Sequence, residues 1–174
     1  MAVYTDVAFD EAAALLQRLN LGELTALRGI QGGIENTNYF VTSQIDGHSV
    51  EHVLTVFERL SFEQLPFYLR LMQHLAQRGI PVPAPAADAS GALLHTLQGK
   101  PAAVVDKLRG RSELSPTARH CAAVGALLAR MQQDLCRRYA LAWPEHALLM
   151  RLQRCARARM ALSNLSDVLA KASS

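Results

Sequence analysis

The stretch Gly29-Ile30-Gln31-Gly32-Gly33-Ile34-Glu35-Asn36-Thr37-Asn38-Tyr39-Phe40-Val41 constrains the fold most, because it places a glycine pair between two strand-forming segments. The spacing predicts a strand over Leu24 to Ile30 and a second over Thr37 to Ser43, so a sheet holds the loop at both ends. Glycines at 29, 32 and 33 remove Cβ where the chain turns sharply or where another group approaches the backbone. Successive bare N–H groups of that kind can point at a phosphate. Asn36, Thr37 and Asn38 add short polar side chains that cap a loop or touch a ligand. An ordinary hairpin with a glycine-rich turn has the same pattern, and the loop alone does not separate the two readings.

Along the rest of the chain the period changes in a readable order. Asp10 to Leu19, with acids first, alanines and leucines through the body and Arg18 near the end, reads as a short amphipathic helix stopped by Asn20-Leu21-Gly22. Asp46-Gly47 supplies turn chemistry, and His52 to Glu58 is strongly strand-forming, which gives three antiparallel strands in meander order. From Ser61 to Arg78, Leu65, Leu69, Met72 and Leu75 recur at helical spacing until Gly79. Ile80-Pro81-Val82-Pro83-Ala84-Pro85 is extended, since each proline disfavours helix for the residue before it. Two short strands follow, near Ala92 to Leu97 and Ala102 to Lys107, joined by Gln98-Gly99-Lys100-Pro101. Ser115-Pro116 opens a helix that Cys121, Val124, Leu128, Met131 and Leu135 continue, and helical stretches near 145–160 and 165–171 lie beyond a break at Trp143-Pro144.

At 174 residues with 50% hydrophobic content, the chain has room for one domain or one lobe of a larger one. No run reaches the ~18 apolar residues of a membrane span and the N-terminus lacks a secretory pattern, so a cytoplasmic location is expected. Cys121, Cys136 and Cys155 lie far apart, and six scattered histidines form no zinc pattern, so no metal ligands are expected here. Net charge is divided: residues 1–110 carry eight Lys or Arg against eleven Asp or Glu, and residues 111–174 carry ten against four. No aromatic residues interleave with the late arginines, so a solvated helix face is favoured over a nucleic-acid partner.

Three segments together carry a family resemblance. Gly32 to Val41, Val53-Leu54-Thr55-Val56-Phe57-Glu58, and Leu71 to Pro83 resemble the aminoglycoside phosphotransferase and choline kinase-like superfamily, whose fold is protein kinase-like. Within it, Glu35-Asn36-Thr37-Asn38-Tyr39-Phe40-Val41 and the Val53 to Glu58 strand look like the bacterial homoserine kinases of that type. The resemblance covers about residues 1 to 131. It implies an α+β fold: a nucleotide-binding small lobe over 1–107, with a twisted antiparallel sheet of about five strands and one crossing helix. A hinge and first large-lobe helix over 108–135 and a helical tail of uncertain origin over 136–174 complete the expectation.

The resemblance further implies ATP and magnesium as cofactors and L-homoserine as the small-molecule substrate, a step of threonine biosynthesis. Gly32, Gly33, Glu35, Asn36, Thr37 and Asn38 would then cover the phosphates. Asp106, Lys107 and Leu108 would be the hinge whose backbone reads adenine. Thr55 stands where the superfamily usually carries a phosphate-gripping Lys or Arg, as is common in the homoserine kinase branch. A neutral residue there forgoes a charge-assisted contact of roughly 1.5 to 3 kcal/mol, so another group must supply the charge. Glu63 is the one carboxylate between Ser61 and Arg78. The family's His-x-Asp loop, following Asn and later Asp do not occur after Met131, so no catalytic residue is assigned and the chain is expected to be a truncated or frame-shifted form, inactive alone. A non-catalytic nucleotide-binding or interaction fragment of the same fold, and a kinase for another amine or alcohol, stay open beside that reading. Oligomeric state is not legible.

Overall fold

The computed structural model describes residues 5–30, 35–110 and 113–139, with the backbone alone for 138 and 139. The expected helices near 145–160 and 165–171 lie outside the described residues. The chain divides into two compact units, Met1–Gly110 and Arg111–Ser174.

In the first unit, α1 (Phe9–Arg18) precedes β1 (Glu23–Gly29), β2 (Asn36–Ile45) and β3 (His48–Phe57), then α2 (Leu65–Gln77), β4 (His95–Leu97) and β5 (Lys100–Asp106). The strands form one antiparallel sheet in the order β1-β2-β3-β5-β4, so the expected meander and the five-stranded α+β sheet are both present. Tight turns set the register. Asp46 and Gly47 both have positive φ, 50° and 78°, and so do Gln98 and Gly99, 52° and 73°, the backbone that two-residue hairpins require. Lys100 and Pro101 therefore begin β5 and are not part of the connection expected from sequence.

Helix α1 lies on one sheet face. Leu15 and Leu16 are fully buried against Val41, Leu54, Val56, Ala102 and Val104, which alternate along their strands as a half-buried sheet demands. Glu11 reaches back to the Ala8 N–H (3.2 Å) at its start. At its end Asn20 takes the left-handed conformation (φ 54°) and Leu21 N–H returns to Leu16 O (3.0 Å). Gly22 has no room for a side chain: with φ 81°, an added Cβ would stand 2.1 Å from Gln44 O.

On the opposite face, Leu69 of α2 packs with Ala103, Leu93, Phe57 and Met72. The helix starts at Leu65, later than the Ser61 expected, because residues 62–64 form a turn in which Ser61 N–H is tied to Gln64 Oε1 (3.1 Å). Gly79 (φ 69°) closes it, and Ile80 N–H bonds Leu75 O (3.0 Å). The proline-rich strap then runs beside the second half of β5, past the end of β4, with Ala86 N–H to Val104 O (2.8 Å) and Asp106 N–H to Ala84 O (3.0 Å). In the second unit, α3 spans Ala118–Tyr139, and none of its residues with a described side chain is buried.

Candidate nucleotide site

Strand alternation decides which of the expected site residues share a surface. Phe57 packs with the α2 cluster, so Thr55 and Val53, two and four residues earlier, face the same way. Register then adds Asn38 opposite Thr55, Phe40 opposite Val53, Arg28 opposite Phe40, and Ala103 and Val105 on β5. This α2 face is only half-covered along Asn38, Phe40, Val53, Thr55 and Val105. Its apolar centre is flanked by cations: Arg28 Cζ lies 5.2 Å and Lys107 Nζ 4.9 Å from the Phe40 ring centroid, and Lys107 also pairs with Glu51 (2.6 Å).

The glycine segment enters and leaves on this sheet. Ile30 N–H still bonds Asn38 O (2.8 Å), so the two arms remain paired until the loop begins. Gly32 and Gly33 lie outside the described residues. Gly29 proves to be unforced: an added Cβ would meet only Tyr39 Cε1 at 3.8 Å, an ordinary contact. After the loop, Glu35 is exposed with its Oε1 3.8 Å from Arg59 Nη1, and Asn36 is half-buried opposite Phe57. Thr55 Oγ1 donates to Asn38 Oδ1 (2.7 Å), and Asn38 Nδ2 reaches Asn36 O (3.4 Å). Thr55 thus supports an amide side chain on the α2 face.

Thr37 is turned the other way. It is 2% exposed on the α1 face, where its Oγ1 accepts from Thr5 N–H (3.0 Å) and donates to Glu58 Oε1 (2.6 Å). Glu58 in turn takes Thr5 Oγ1–H (2.6 Å) and the Lys100 ammonium (2.5 Å), and Lys100 Nζ also donates to Thr5 Oγ1 (2.8 Å). Burial of this carboxyl, whose side chain is 8% exposed, pushes its pKa up, but the bonds from Lys100, Thr37 and Thr5 outweigh that and hold it at about 2. Thr5, Glu58 and Lys100 shape the site without being among the residues expected there. The signal was present: Glu58 continues the inward parity of Leu54 and Val56, and a carboxylate there needs partners.

Asp106, at the end of β5, is exposed and its Oδ1 lies 3.9 Å from Nδ1 of buried His52. Burial pushes the His52 pKa down and Asp106 pulls it back up, and Nε2 of this ring has no hydrogen-bond partner. Since Asp106 N–H is spent on Ala84, the main chain of Lys107 and Leu108 follows as the next stretch of backbone past the sheet. Leu108 is 48% exposed. Glu63 precedes α2, and α2 itself carries no carboxylate. Among the described residues no group of three His, Cys, Asp or Glu side chains could hold a metal ion. No helix of the described residues is long and apolar enough to cross a membrane.

Residues 26–172 match the model of the phosphotransferase enzyme family. The chain belongs to that family. The match runs past residue 131, where the resemblance was expected to stop. Curated relatives of the chain include the homoserine kinase of Polaromonas naphthalenivorans, 66% identical over 131 residues (75% of this chain and 40% of that protein). The homoserine kinase of Cupriavidus metallidurans is 53% identical over 150 residues (82% of this chain and 46% of that protein). The chain therefore spans less than half the length of these relatives. Among solved structures, amicoumacin kinase in complex with AMP-PNP, Ca2+ and Ami matches with TM-score 0.57 and 22% identity, over 72% of this chain and 40% of that one. That likeness establishes the shared kinase-like fold, as expected for the small lobe.

Proposed function

We propose that this chain provides the nucleotide-binding lobe of a homoserine kinase-type phosphotransferase, which transfers the γ-phosphoryl group of ATP to the hydroxyl of L-homoserine in threonine biosynthesis, in the cytoplasm. The observation that carries this reading is the 66% identity to a homoserine kinase over 131 residues, 75% of this chain. In this reading Gly32, Gly33, Glu35, Asn36 and Asn38 lie along the phosphates, Asn38 being braced by Thr55. Thr37 contributes its backbone and fixes the loop from behind. Phe40, Val53 and Val105 offer the base an apolar shelf on the α2 face, and backbone groups of the Asp106 to Leu108 segment read its edge, without the Asp106 N–H. Because Thr55 is neutral, Arg59, at the loop exit beside Glu35, is the cation best placed to face phosphate charge.

Magnesium, which neutralises charge on the phosphates in such transfers, takes its ligands in this reading from outside the described residues. The chain's own contribution is positioning: it fixes the nucleotide, and the carboxylate that orients the hydroxyl belongs elsewhere. Saturation-transfer NMR on the purified chain with ATP and magnesium tests the assignment. Transfer to the adenine protons is expected, and its absence at millimolar ATP would contradict it.

A further inference from the structure

We propose that Glu58, clamped by Lys100, is a positioning residue for the nucleotide, holding Thr37 so that the returning arm of the glycine loop presents Asn36 and Asn38 in one register. The inference deepens the proposed function and rests on it. Three features of the geometry carry it.

The four partners come from four separate places in the chain. Thr5 lies before α1, Thr37 is the second residue of β2, Glu58 follows β3, and Lys100 opens β5. Together these bonds close contacts across 32, 53 and 95 residues of sequence at the end of the sheet where the loop emerges. Second, the bonds leave little slack. One Glu58 oxygen accepts from both threonine hydroxyls and the other from the ammonium, while Thr37 Oγ1 accepts from the Thr5 N–H and donates its proton to Glu58. Tyr39, two residues on and on the same face, adds a second tie, its hydroxyl donating to Thr5 O (2.8 Å) and accepting from Val7 N–H (3.1 Å). Third, Thr37 is flanked by Asn36 and Asn38, whose side chains have the opposite parity. Anchoring Thr37 on the α1 face therefore sets the rotation of the strand that aims Asn38 at the α2 face, where Thr55 meets it. A slip of one residue would exchange the two faces.

Glu58 and Lys100 are on the wrong face to touch the nucleotide, so their effect must pass through Thr37. The test compares Glu58→Gln, Lys100→Met, Lys100→Arg and Thr37→Val in the full chain, with Glu11→Gln as a control carboxylate on the same face, whose bonds to Gln98 (2.7 and 2.6 Å) lie apart from the loop. Two readings are taken below the unfolding transition of each variant: amide hydrogen exchange at Asn36 to Asn38 without ligand, and affinity for AMP-PNP with magnesium. Glu58→Gln, Lys100→Met and Thr37→Val should each speed exchange there and weaken AMP-PNP binding by about tenfold, and pairs of them should cost little more than one alone. Lys100→Arg, which keeps the charge, should restore most of the affinity. Parent-like affinity and exchange in folded Glu58→Gln and Lys100→Met would reduce the cluster to a structural tie and overturn the proposal, leaving the functional reading in place. A parent chain that binds no AMP-PNP would instead overturn the functional reading, and the proposal with it.

Discussion

Lys100 Nζ and Glu58 Oε2 lie 2.5 Å apart, joining the first residue of β5 to the residue that follows β3. The Glu58 carboxyl, held at about 2 in the folded chain against an ordinary value of 4.5, is protonated more readily when unfolded. Its contribution is therefore complete above about pH 5 and lost as pH falls through the folded value. Unfolding free energies from urea titrations between pH 6 and pH 2 should fall by on the order of 2 kcal/mol more in the parent than in Glu58→Gln. Parallel profiles for the two would show that the carboxylate is not held in this way.

Glycine is demanded at one position and merely tolerated at another. Gly22→Ala forces a Cβ against Gln44 O at a φ of 81°, and should cost about 2 to 4 kcal/mol in chemical unfolding. Gly29→Ala meets only ordinary contact and should change stability by less than about 0.5 kcal/mol. Equal effects at the two positions would contradict the register of β1 on β2.

Much of this architecture could be read from residue order. Hydrophobic alternation in Val53 to Glu58, the helical repeat of Leu65, Leu69 and Leu75, and the Asp46-Gly47 turn each reflect local chemistry with one dominant solution. What could not be read depends on which face a side chain takes and on partners far away in sequence. Thr37 and Asn38 are neighbours with similar chemistry, yet register sends one to Glu58 and the other to Thr55. Lys100 sits among turn residues, and its role depends on Thr5, 95 positions earlier. Gly29 belonged to a glycine pattern, but only its surroundings reveal that a Cβ would fit.

Arg59→Ala should weaken ATP binding by roughly three- to tenfold while leaving the unfolding midpoint nearly unchanged, since its pairing with Glu35 is exposed and contributes little to stability. Fluorescence titration with a labelled nucleotide measures the change. If Arg59→Ala binds as the parent does, the charge absent at Thr55 is supplied by another residue.

If the carboxylate that orients the hydroxyl belongs elsewhere, as proposed, the chain by itself should not turn over homoserine. Product analysis by phosphorus NMR should show no O-phosphohomoserine above a vector-only preparation. Formation of that product would mean that residues not assigned here supply the carboxylate.

The most direct test of the nucleotide lobe is an amide chemical-shift titration of the chain with ATP and magnesium, run in parallel on Gly33→Val. A branched Cβ beside the phosphates obstructs their approach to the backbone. The parent should show saturable shifts confined to Gly32 to Phe40, Val53 to Arg59 and Val105 to Leu108, with a dissociation constant on the order of a millimolar. Gly33→Val should lose them at an unchanged thermal midpoint. Shifts centred on Leu15, Leu16 and the α1 face, or identical titrations for the two proteins, would contradict the account.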